Sequence, residues 1–411
     1  MPVPPEEESV ECCVAGGGPA GMMLGLLLAR AGVTVLVLEK HADFLRDFRG
    51  DTIHPSTLEI MRELGLLAGL LRLPHQEIRE LAAQIGEVTV RLADFTHLPT
   101  SCRFLAFMPQ WDFLDFLAGQ AARYPTFRLR MRAEVTDLLE EAGRVVGVQV
   151  ATDGGPLRVR ADLVVAADGR YSVVRARAGL PVQELGAPMD VLWFRLSRSS
   201  QDGGQTMGRF DRGQIFIMLD RGDYWQCGYV IPKGTFETIR QAGLPAFQDR
   251  VARLGPFGRG QVDELKTWDD VKLLSVRVDR LSRWSRAGLL CIGDAAHAMS
   301  PVGGVGINLA IQDAVAAANI LAEPLRVRTV TLEHLRQVQR RREWPTRVIQ
   351  AMQVGIQKRV IAPVLGGSRP LGPPLVVRLL DRIPVLRRIP ARLVGLGIRP
   401  EHVRSPAAEL K

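Results

Sequence analysis

The feature that most constrains this chain of 411 residues is a glycine-rich turn near its N-terminus. Residues 10–15 are largely apolar and lead into the sequence GGGPAG at residues 16–21, after which apolar residues recur with helical spacing as far as Arg30. Residues 33–38 then form an apolar, β-branched run that ends at Glu39. This order predicts a strand, a tight turn, a helix and a second strand that is buried on both faces.

The turn has the spacing of a dinucleotide-binding site, because its glycines let the backbone approach a pyrophosphate whose charge rests on the helix N-terminus. The expected contacts from the turn are Gly16, Gly18, Pro19, Ala20 and Gly21. Glu39 lies 18 positions after Gly21 and is placed to accept a hydrogen bond from an adenosine ribose hydroxyl, with Lys40 beside it. A glutamate here favours a nucleotide without a 2′-phosphate. The turn alone does not distinguish FAD from NAD.

Two further apolar runs each end in a pair of glycine and aspartate. Residues 163–167 lead into Asp168-Gly169, and residues 288–292 lead into Gly293-Asp294. A glycine-rich loop at residues 301–306 precedes an alanine-rich helical pattern over residues 307–321. The N–H groups of this loop and the positive end of that helix are expected to face one edge of a bound ring. If that ring is isoalloxazine, they favour its anionic reduced form.

These motifs, in this order and spacing, resemble those of the class A flavoprotein monooxygenases, the family of p-hydroxybenzoate hydroxylase, over residues 10–350. The resemblance implies an α/β fold in which a Rossmann-like FAD-binding domain carries an inserted β-sheet substrate domain. The FAD-binding domain is expected at residues 8–74, 108–180 and 273–360, and the substrate domain at 75–107 and 181–272. Residues 361–411 are expected to form a basic helical tail.

The resemblance also implies roles for individual residues. Asp168 matches a carboxylate associated with both FAD and NAD(P)H, and Asp294 matches one that holds ribityl or ribose hydroxyls of FAD. Arg49 occupies the place of an arginine beside the FAD pyrophosphate and the mobile region of the flavin. Gln110 occupies that of a glutamine at the flavin, and Val135 that of a backbone contact to adenine. The other cofactor contacts expected near the second glycine-aspartate pair are Gly293, Pro301, Gly303, Gly304, Val305, Gly306, Ile307 and Asn308.

Arg49 and His54 are the candidates for direct participation in the reaction. His54 follows the Arg49 loop and could face the flavin or transfer a proton, because imidazole titrates near physiological pH. A structural role in capping or packing is an equal alternative, and His297 is expected to be structural. The seven histidines show no metal-binding spacing, so we expect no metal site.

A period-two pattern over residues 215–219, in which Ile215, Ile217 and Leu219 face opposite Phe216 and Met218, is followed by residues 224–231 and predicts sheet strands in the expected substrate domain. Phe216, Met218, Trp225 and Tyr229 share one strand face in this pattern. They are candidates for a substrate-lining wall over the flavin. The alternative is that they form the substrate domain's own core.

The expected function is that of an FAD-dependent monooxygenase that uses NADH or NADPH and O₂, through a flavin hydroperoxide. The expected substrate is an aromatic or polyketide-like small molecule. A flavin oxidase or dehydrogenase on the same fold is the first alternative. A flavoprotein without redox turnover, or a peripheral membrane protein, is the second.

Charge and composition limit the kinds of partner that this chain is expected to bind. Residues 324–411 contain 18 Lys and Arg against 5 Asp and Glu, within a chain of net charge +9. Without a nucleic-acid motif this basic region predicts no nucleic-acid binding. Its apolar and arginine-rich residues 375–386 favour a C-terminal helix that packs on the flavin domain, with a peripheral membrane contact as the alternative. The acidic, proline-rich residues 1–10 read as a frayed tail rather than a signal peptide, which favours a cytoplasmic location. The expected oligomeric state is a monomer or homodimer. The five cysteines are expected to be reduced core thiols.

Overall fold

A computed structural model describes residues 6–45, 52–198, 206–255, 257–367 and 372–408. Its strands, numbered along the chain, are β1 Glu6–Ala15, β2 Val35–Leu38, β3 Thr52–Ile53, β4 Gln76–Ile78, β5 Glu80–Ile85, β6 Val88–Asp94, β7 Leu105–Phe107, β8 Phe127–Arg130, β9 Ala133–Glu141, β10 Arg144–Thr152, β11 Gly155–Ala166, β12 Val182–Glu184, β13 Met189–Ser197, β14 Met207–Asp211, β15 Gln214–Asp220, β16 Tyr224–Pro232, β17 Lys272–Leu274, β18 Asp279–Leu281, β19 Ser285–Arg286 and β20 Leu289–Cys291.

The α-helices are α1 Pro19–Arg30, α2 Pro55–Glu63, α3 Leu67–Leu70, α4 Gln110–Ala121, α5 Val173–Arg177, α6 Phe236–Gln241, α7 Leu244–Leu254, α8 Arg259–Val262, α9 Gly306–Arg326, α10 Leu332–Ile356, α11 Ala362–Gly366, α12 Leu375–Arg382 and α13 Arg388–Gly395. In the described chain one helical segment, Val302–Arg326, has the length and apolarity of a membrane span, but 83% of its apolar window is buried inside the protein. It is a core helix of this fold.

The main sheet has the order β19-β20-β11-β1-β2-β8, with β10 and β9 attached along β11. β20, β11, β1, β2 and β8 are mutually parallel where they pair, so their carboxyl ends meet at one edge. α1 and α9 pack together against this sheet, and Gly25 lets α1 approach β2, because a Cβ there would lie 2.8 Å from Val37. The predicted strand, turn, helix and strand at the N-terminus are therefore confirmed.

The N-terminal strand is longer than the sequence suggests. Residues 6–9 belong to β1 and pair with residues 157–160 of β11, so the expectation of a frayed tail over residues 1–10 is wrong for residues 6–10. Glu8 bonds to Arg128 and Arg130, and Glu7 bonds to Arg160. The acidic run is accommodated because basic side chains of the neighbouring strands neutralise it. All five cysteines are buried and none forms a disulfide, as expected.

A second, seven-stranded sheet has the order β17-β13-β16-β15-β14-β5-β6 and draws on both segments expected for the substrate domain. One face, which we call the helix face, packs against the helices of residues 236–265. The opposite face, called the flavin-domain face, contacts Val302, Ile361 and Val364. The two faces correspond to the predicted period-two alternation.

The side chains proposed as a substrate wall lie on the helix face. Phe216, Met218, Trp225 and Tyr229 belong to one core cluster with Phe247 of α7. The candidate wall over the flavin is therefore wrong, and the alternative, that these residues form the core of the sheet region, is correct. Alternation defines which residues share a face but carries no information on which face a helix will cover.

The C-terminal region is not a free tail. α13 packs on the second sheet, where Gly395 lies against Phe95 and Leu98. Glu401 is buried, 2% exposed, and the Ala408 N–H donates to the Arg30 carbonyl at 2.7 Å. Residues 388–408 are thus an integral part of the fold. By contrast, α12 exposes Leu375 and Val376, at 73% and 68%.

Candidate active site

The glycine turn after β1 contains one open position between two crowded ones. A Cβ on Gly16, whose φ is +105°, would lie 2.4 Å from the Ala167 carbonyl oxygen, and a Cβ on Gly21 would lie 1.9 Å from that of Gly16. Among the described residues, nothing lies within 4 Å of such a Cβ on Gly18, and no side chain caps α1. Gly16 and Gly21 are therefore required by the turn itself, whereas Gly18 leaves space for a ligand against the N-terminus of α1.

Glu39 closes the same turn from the end of β2. Its side chain is largely buried and accepts hydrogen bonds from the Gly17 N–H at 2.9 Å and the His41 N–H at 3.0 Å. The backbone carbonyl of Glu39 accepts from the Ala133 N–H at 2.9 Å. Val135 follows two residues later in β9 and is buried, so the strand with the expected adenine contact is tied to Glu39. Lys40 is exposed beside them.

The two glycine-aspartate motifs meet at the carboxyl ends of β11 and β20. Arg170 donates to Asp294 at 3.2 Å and thereby joins the two loops. Asp168 accepts from the Val174 N–H at 3.2 Å, and its other carboxylate oxygen is buried without a hydrogen-bond partner among the described residues. Burial raises the pKa of Asp168 above its ordinary value. An unpartnered buried oxygen at this edge is a natural acceptor for a ligand hydroxyl.

A buried ion pair between Arg175 and Asp279 holds the backbone of both glycine-aspartate motifs in place. Arg175 donates to both carboxylate oxygens of Asp279 at 3.3 Å and to the Ala295 carbonyl at 3.2 Å, and it also bonds to the Arg170 carbonyl. Arg175 and Asp279 are almost fully buried. The pair fixes the backbone on either side of the contact between Arg170 and Asp294.

Three glutamines of one helix stripe hold the loop that precedes α9. Gln350 Nε2 donates to the Asp279 and Ala298 carbonyls at 2.7 and 3.2 Å. Gln353 accepts from the Ser300 N–H at 3.2 Å and donates to the Ser300 and Val302 carbonyls at 2.9 Å each. Gln357 donates to the Ser300 hydroxyl at 2.7 Å. All three glutamines are buried, and sequence reasoning missed them. Their helical spacing along a buried face is the signal that could have revealed them.

The glycine-rich loop ends at the N-terminus of α9, which no side chain of a described residue caps. Gly303 and Gly304 have φ of +79° and +62°, and a Cβ on Gly304 would lie 3.0 Å from the Thr52 hydroxyl. The Asn308 side-chain carbonyl accepts from Ser56 at 2.8 Å and Thr57 at 2.7 Å. The Asn308 side chain therefore joins α9 to α2. The prediction that backbone N–H groups of the first turn face a bound ring stays a prediction.

His54 joins this loop to the C-terminal region. Its Nδ1 lies 2.6 Å from the Val394 carbonyl and its Nε2 lies 3.0 Å from the Gly304 carbonyl. The ring is fully buried, and burial lowers the pKa of His54 although both carbonyls favour the charged form. Because both nitrogens face backbone carbonyls, the geometry does not support the expectation that His54 faces the flavin or transfers a proton, and it fits the structural alternative.

His297 belongs to a buried charge cluster that anchors the second motif. Its Nε2 lies 2.5 Å from Asp313, which also accepts from the Gly293 N–H and from Arg342 Nε at 3.0 Å each. Arg342 in turn contacts Glu401 at 3.4 Å. This geometry fits the structural role expected of His297.

Most of the predicted cofactor residues lie along one edge of the main sheet. This edge is formed by the carboxyl ends of β1, β2, β11 and β20 and by the loop before α9. It carries Gly16–Gly21, Glu39, Asp168, Asp294 and residues 301–308. Gln110 is buried and is the first residue of α4, shortly after β7. β7 pairs with β3, the strand that lies next to Gly304. Arg49 lies outside the described residues. Among those residues, no group of three metal-ligating side chains is found.

The match to a family model decides the family. The family described as FAD binding domain matches residues 9–352, most of the chain. The chain belongs to this family. It has the fold of class A flavoprotein monooxygenases, and FAD is the cofactor of the family.

Relatives of this flavoprotein have several activities. A 6-methylpretetramide 4-monooxygenase of Streptomyces rimosus is 35% identical over 413 residues, covering 99% of this chain and 97% of its own. A dialkyldecalin synthase of Streptomyces rugosporus is 26% identical over 323 residues, and the match covers 74% of this chain and 63% of that protein. The solved structure of OxyS anhydrotetracycline hydroxylase from Streptomyces rimosus superposes with a TM-score of 0.74 at 25% identity, covering 96% of this chain and 77% of its own.

Proposed function

We propose that this flavoprotein uses FAD, reduced by NADH or NADPH, together with O₂ to insert one oxygen atom into an aromatic or polyketide-like small molecule. The observation that carries the proposal is the convergence of the glycine turn, Asp168, Asp294 and the uncapped N-terminus of α9 at one edge of a parallel sheet. Ligands of open α/β folds bind at this edge. The tetracycline-type and pretetramide substrates in the names of similar proteins support the substrate class.

The residues present fit FAD. Among the described residues the approach to the α1 N-terminus at Gly18 is open and would admit the pyrophosphate. The carboxylates of Glu39 and Asp294 would accept from ribose and ribityl hydroxyls. Asp168 contributes, at the same edge, a buried oxygen that has no hydrogen-bond partner in the described part of the chain. FAD when bound supplies the hydride-accepting and oxygen-reactive chemistry, and the protein supplies orientation and a dry environment.

The N-terminus of α9 has the electrostatics that the reaction needs. Gly306 starts a helix of 21 residues that no side chain in the described part of the protein caps, so its first N–H groups and its positive dipole end face the loop. A helix end of this kind favours negative charge on an adjacent ring. Gln353 of α10 fixes the preceding loop through Ser300 and Val302, so that these donors keep one position.

The mass of the product tests the proposal. Incubation with NADH or NADPH, ¹⁸O₂ and a polyphenolic substrate is expected to yield a product that contains one ¹⁸O atom, with consumption of one nicotinamide per product. A product lighter by two hydrogens, with peroxide formed from O₂, would instead show a flavin oxidase or dehydrogenase. A rearranged product of unchanged mass, without nicotinamide consumption, would show a flavoprotein without redox turnover, and either result would overturn the proposal.

A further inference from the structure

The helix α12 turns its apolar side to solvent rather than to the protein. Leu375, Val376 and Leu379 are between 42% and 73% exposed, and their spacing places them on one helix face. Ile383, directly after the helix, continues the same face and is also exposed. A surface helix of a soluble protein ordinarily buries such a face against the core. Among the described residues, nothing covers the apolar face of α12.

The exposed apolar side chains continue beyond α12. Val385 lies in the turn of residues 384–387, Ile389 lies at the start of α13, and both are 59% exposed. With the four residues of the α12 face, six large aliphatic side chains are therefore exposed within residues 375–389. We call this group the aliphatic surface. Apolar side chains concentrated in this way on a protein surface mark an interaction site.

Polar contacts on the opposite side of α12 hold it in this orientation. The Arg91 N–H of β6 donates to the Asp381 carboxylate at 3.1 Å. Arg387 is buried, donates from its Nε to the Leu380 carbonyl at 2.9 Å and also bonds to the Asp381 carbonyl. These contacts attach α12 to the edge of the second sheet, so the aliphatic surface is a fixed feature of the fold.

The aliphatic surface lies within a strongly basic segment. Residues 372–399 contain six arginines and one acidic residue, Asp381, whose carboxylate is directed at β6 and lies 3.9 Å from Arg387. Arg378 and Arg382 are exposed, four residues apart, and border the apolar face of α12 on one side. Two more exposed arginines, at positions 388 and 392, lie on α13. The segment therefore presents aliphatic side chains and positive charge together.

We propose that residues 375–392 dock this protein on an anionic lipid membrane. The aliphatic side chains would enter the boundary between headgroups and acyl chains, and the arginines would contact lipid phosphates, as in amphipathic helices that lie in a membrane surface. The inference goes beyond the proposed function and does not depend on it.

The chemistry of the segment favours a membrane over a protein partner. A second copy of the chain, docked on the same surface by a twofold axis, would bring the exposed arginines of both copies together, which opposes association. Recognition of another protein relies mostly on aromatic and arginine anchors that fill pockets, whereas residues 372–399 contain no aromatic side chain. Aliphatic side chains enter lipid without a pocket of matching shape.

Cosedimentation of the flavin-loaded, full-length protein with vesicles tests the proposal. We expect binding to vesicles of equal parts phosphatidylcholine and phosphatidylglycerol to be about tenfold or more stronger than to phosphatidylcholine alone, and to weaken as salt is added. The double variant Arg378→Gln, Arg382→Gln is expected to bind the anionic vesicles about tenfold or more weakly, since each arginine near anionic lipid contributes about fivefold. The double variant Val385→Ser, Ile389→Ser is expected to bind more weakly by a similar factor, because it removes side chains that enter the lipid.

Matched variants outside the segment separate docking from general changes in charge or hydrophobicity. Arg283→Gln with Arg336→Gln removes two exposed arginines, and Val327→Ser with Val348→Ser removes two exposed valines. Both control proteins are expected to bind anionic vesicles as the wild type does. Flavin absorbance and thermal melting show whether each variant folds, and all are expected to match the wild type because the replaced side chains are exposed.

Three results would overturn the proposal: no binding to anionic vesicles, equal binding to both kinds of vesicle, or the same loss of binding in the control variants. A dimer that binds no vesicles and becomes a monomer in Val385→Ser, Ile389→Ser would assign the surface to a second copy of the chain. Binding to polyglutamate but not to vesicles would assign it to an acidic protein partner, and either result would reject the membrane.

Discussion

Replacing Asp313 by asparagine is expected to lower the free energy of unfolding by about 3–5 kcal/mol at neutral pH, the cost of breaking a buried ion pair by removing one partner. The side chain of Asp313 is fully buried and accepts from His297, Arg342 and the Gly293 N–H. An asparagine offers one acceptor oxygen and turns an NH₂ group towards these donors. Arg342, 1% exposed, would then keep only its longer contact of 3.4 Å with Glu401 as an ion pair.

The same substitution has a defined pH dependence. Burial opposes ionisation of Asp313, but His297 and Arg342 outweigh it and hold the pKa of Asp313 below its ordinary value. Because the pKa is lower in the folded than in the unfolded state, the carboxylate stabilises the fold above about pH 4. This contribution is lost as the pH falls through the folded-state pKa. The difference between wild type and Asp313→Asn is therefore expected to be complete at pH 7 and to shrink below pH 4.

Urea unfolding followed by tryptophan fluorescence measures this difference, since the Trp284 ring lies 4.9 Å from that of His297. The flavin content of the variant is expected to fall as well, because Asp313 anchors the Gly293 N–H beside Asp294. Asp153→Asn, which breaks a largely exposed pair with Arg132, is the control and is expected to have almost no effect. A loss below about 1 kcal/mol at pH 7, or one that does not change with pH, would refute the reasoning.

Four further predictions concern the cofactor site and the C-terminal region. Gly18→Ala is expected to fold normally and lose flavin, whereas Gly21→Ala is expected to fail to fold. Thermal melting and flavin absorbance distinguish the two variants. Full flavin content in Gly18→Ala would contradict the assignment of Gly18 to the pyrophosphate site. Gln353→Ala leaves three backbone groups without a partner and is expected to cost about 1–3 kcal/mol and to weaken FAD binding, while Gln337→Ala on the exposed side of α10 does neither. His54→Ala is expected to speed hydrogen exchange both in residues 302–306 and in α13. His334→Ala, which removes a ring at the N-terminus of α10, is the control, and unchanged exchange in α13 of the His54 variant contradicts the link. If the exposed residues of α12 contact a membrane, the intact protein is expected to float with anionic vesicles, and the double variant Leu375→Glu, Val376→Glu is expected to stay in the unbound fraction. Equal flotation of the two proteins would reject this contact.

The nucleotide-binding half of the fold could be predicted because its signals are local. The turn at Gly16–Gly21 and the strand ends at Glu39, Asp168 and Asp294 follow apolar runs directly, and parallel strands bring such ends to one edge. The helix predicted over residues 307–321 extends over Gly306–Arg326. It is longer than predicted because its buried face continues beyond the end of the alanine-rich pattern. The resemblance to a known family added which dinucleotide fits.

The missed features depend on contacts between distant segments. His54 meets Val394 across 340 positions, and Glu401 meets Arg342 across 59, so nothing near either residue indicates its partner. The alternation around Phe216 identifies two faces, but the identity of the covered face follows from helices that come later in the chain. Long-range packing, rather than propensity, decided each of these positions.

The visible spectrum of the purified protein, followed by anaerobic addition of NADH or NADPH, tests the central claim most directly. We expect a flavin spectrum, and we expect denaturation to release the chromophore as FAD. The nicotinamide is expected to bleach the flavin absorbance faster when a polyphenolic ligand is present, and air is expected to restore it. A colourless protein that cannot be reconstituted with FAD would contradict the assignment of the Gly16–Gly21 turn and of Asp294.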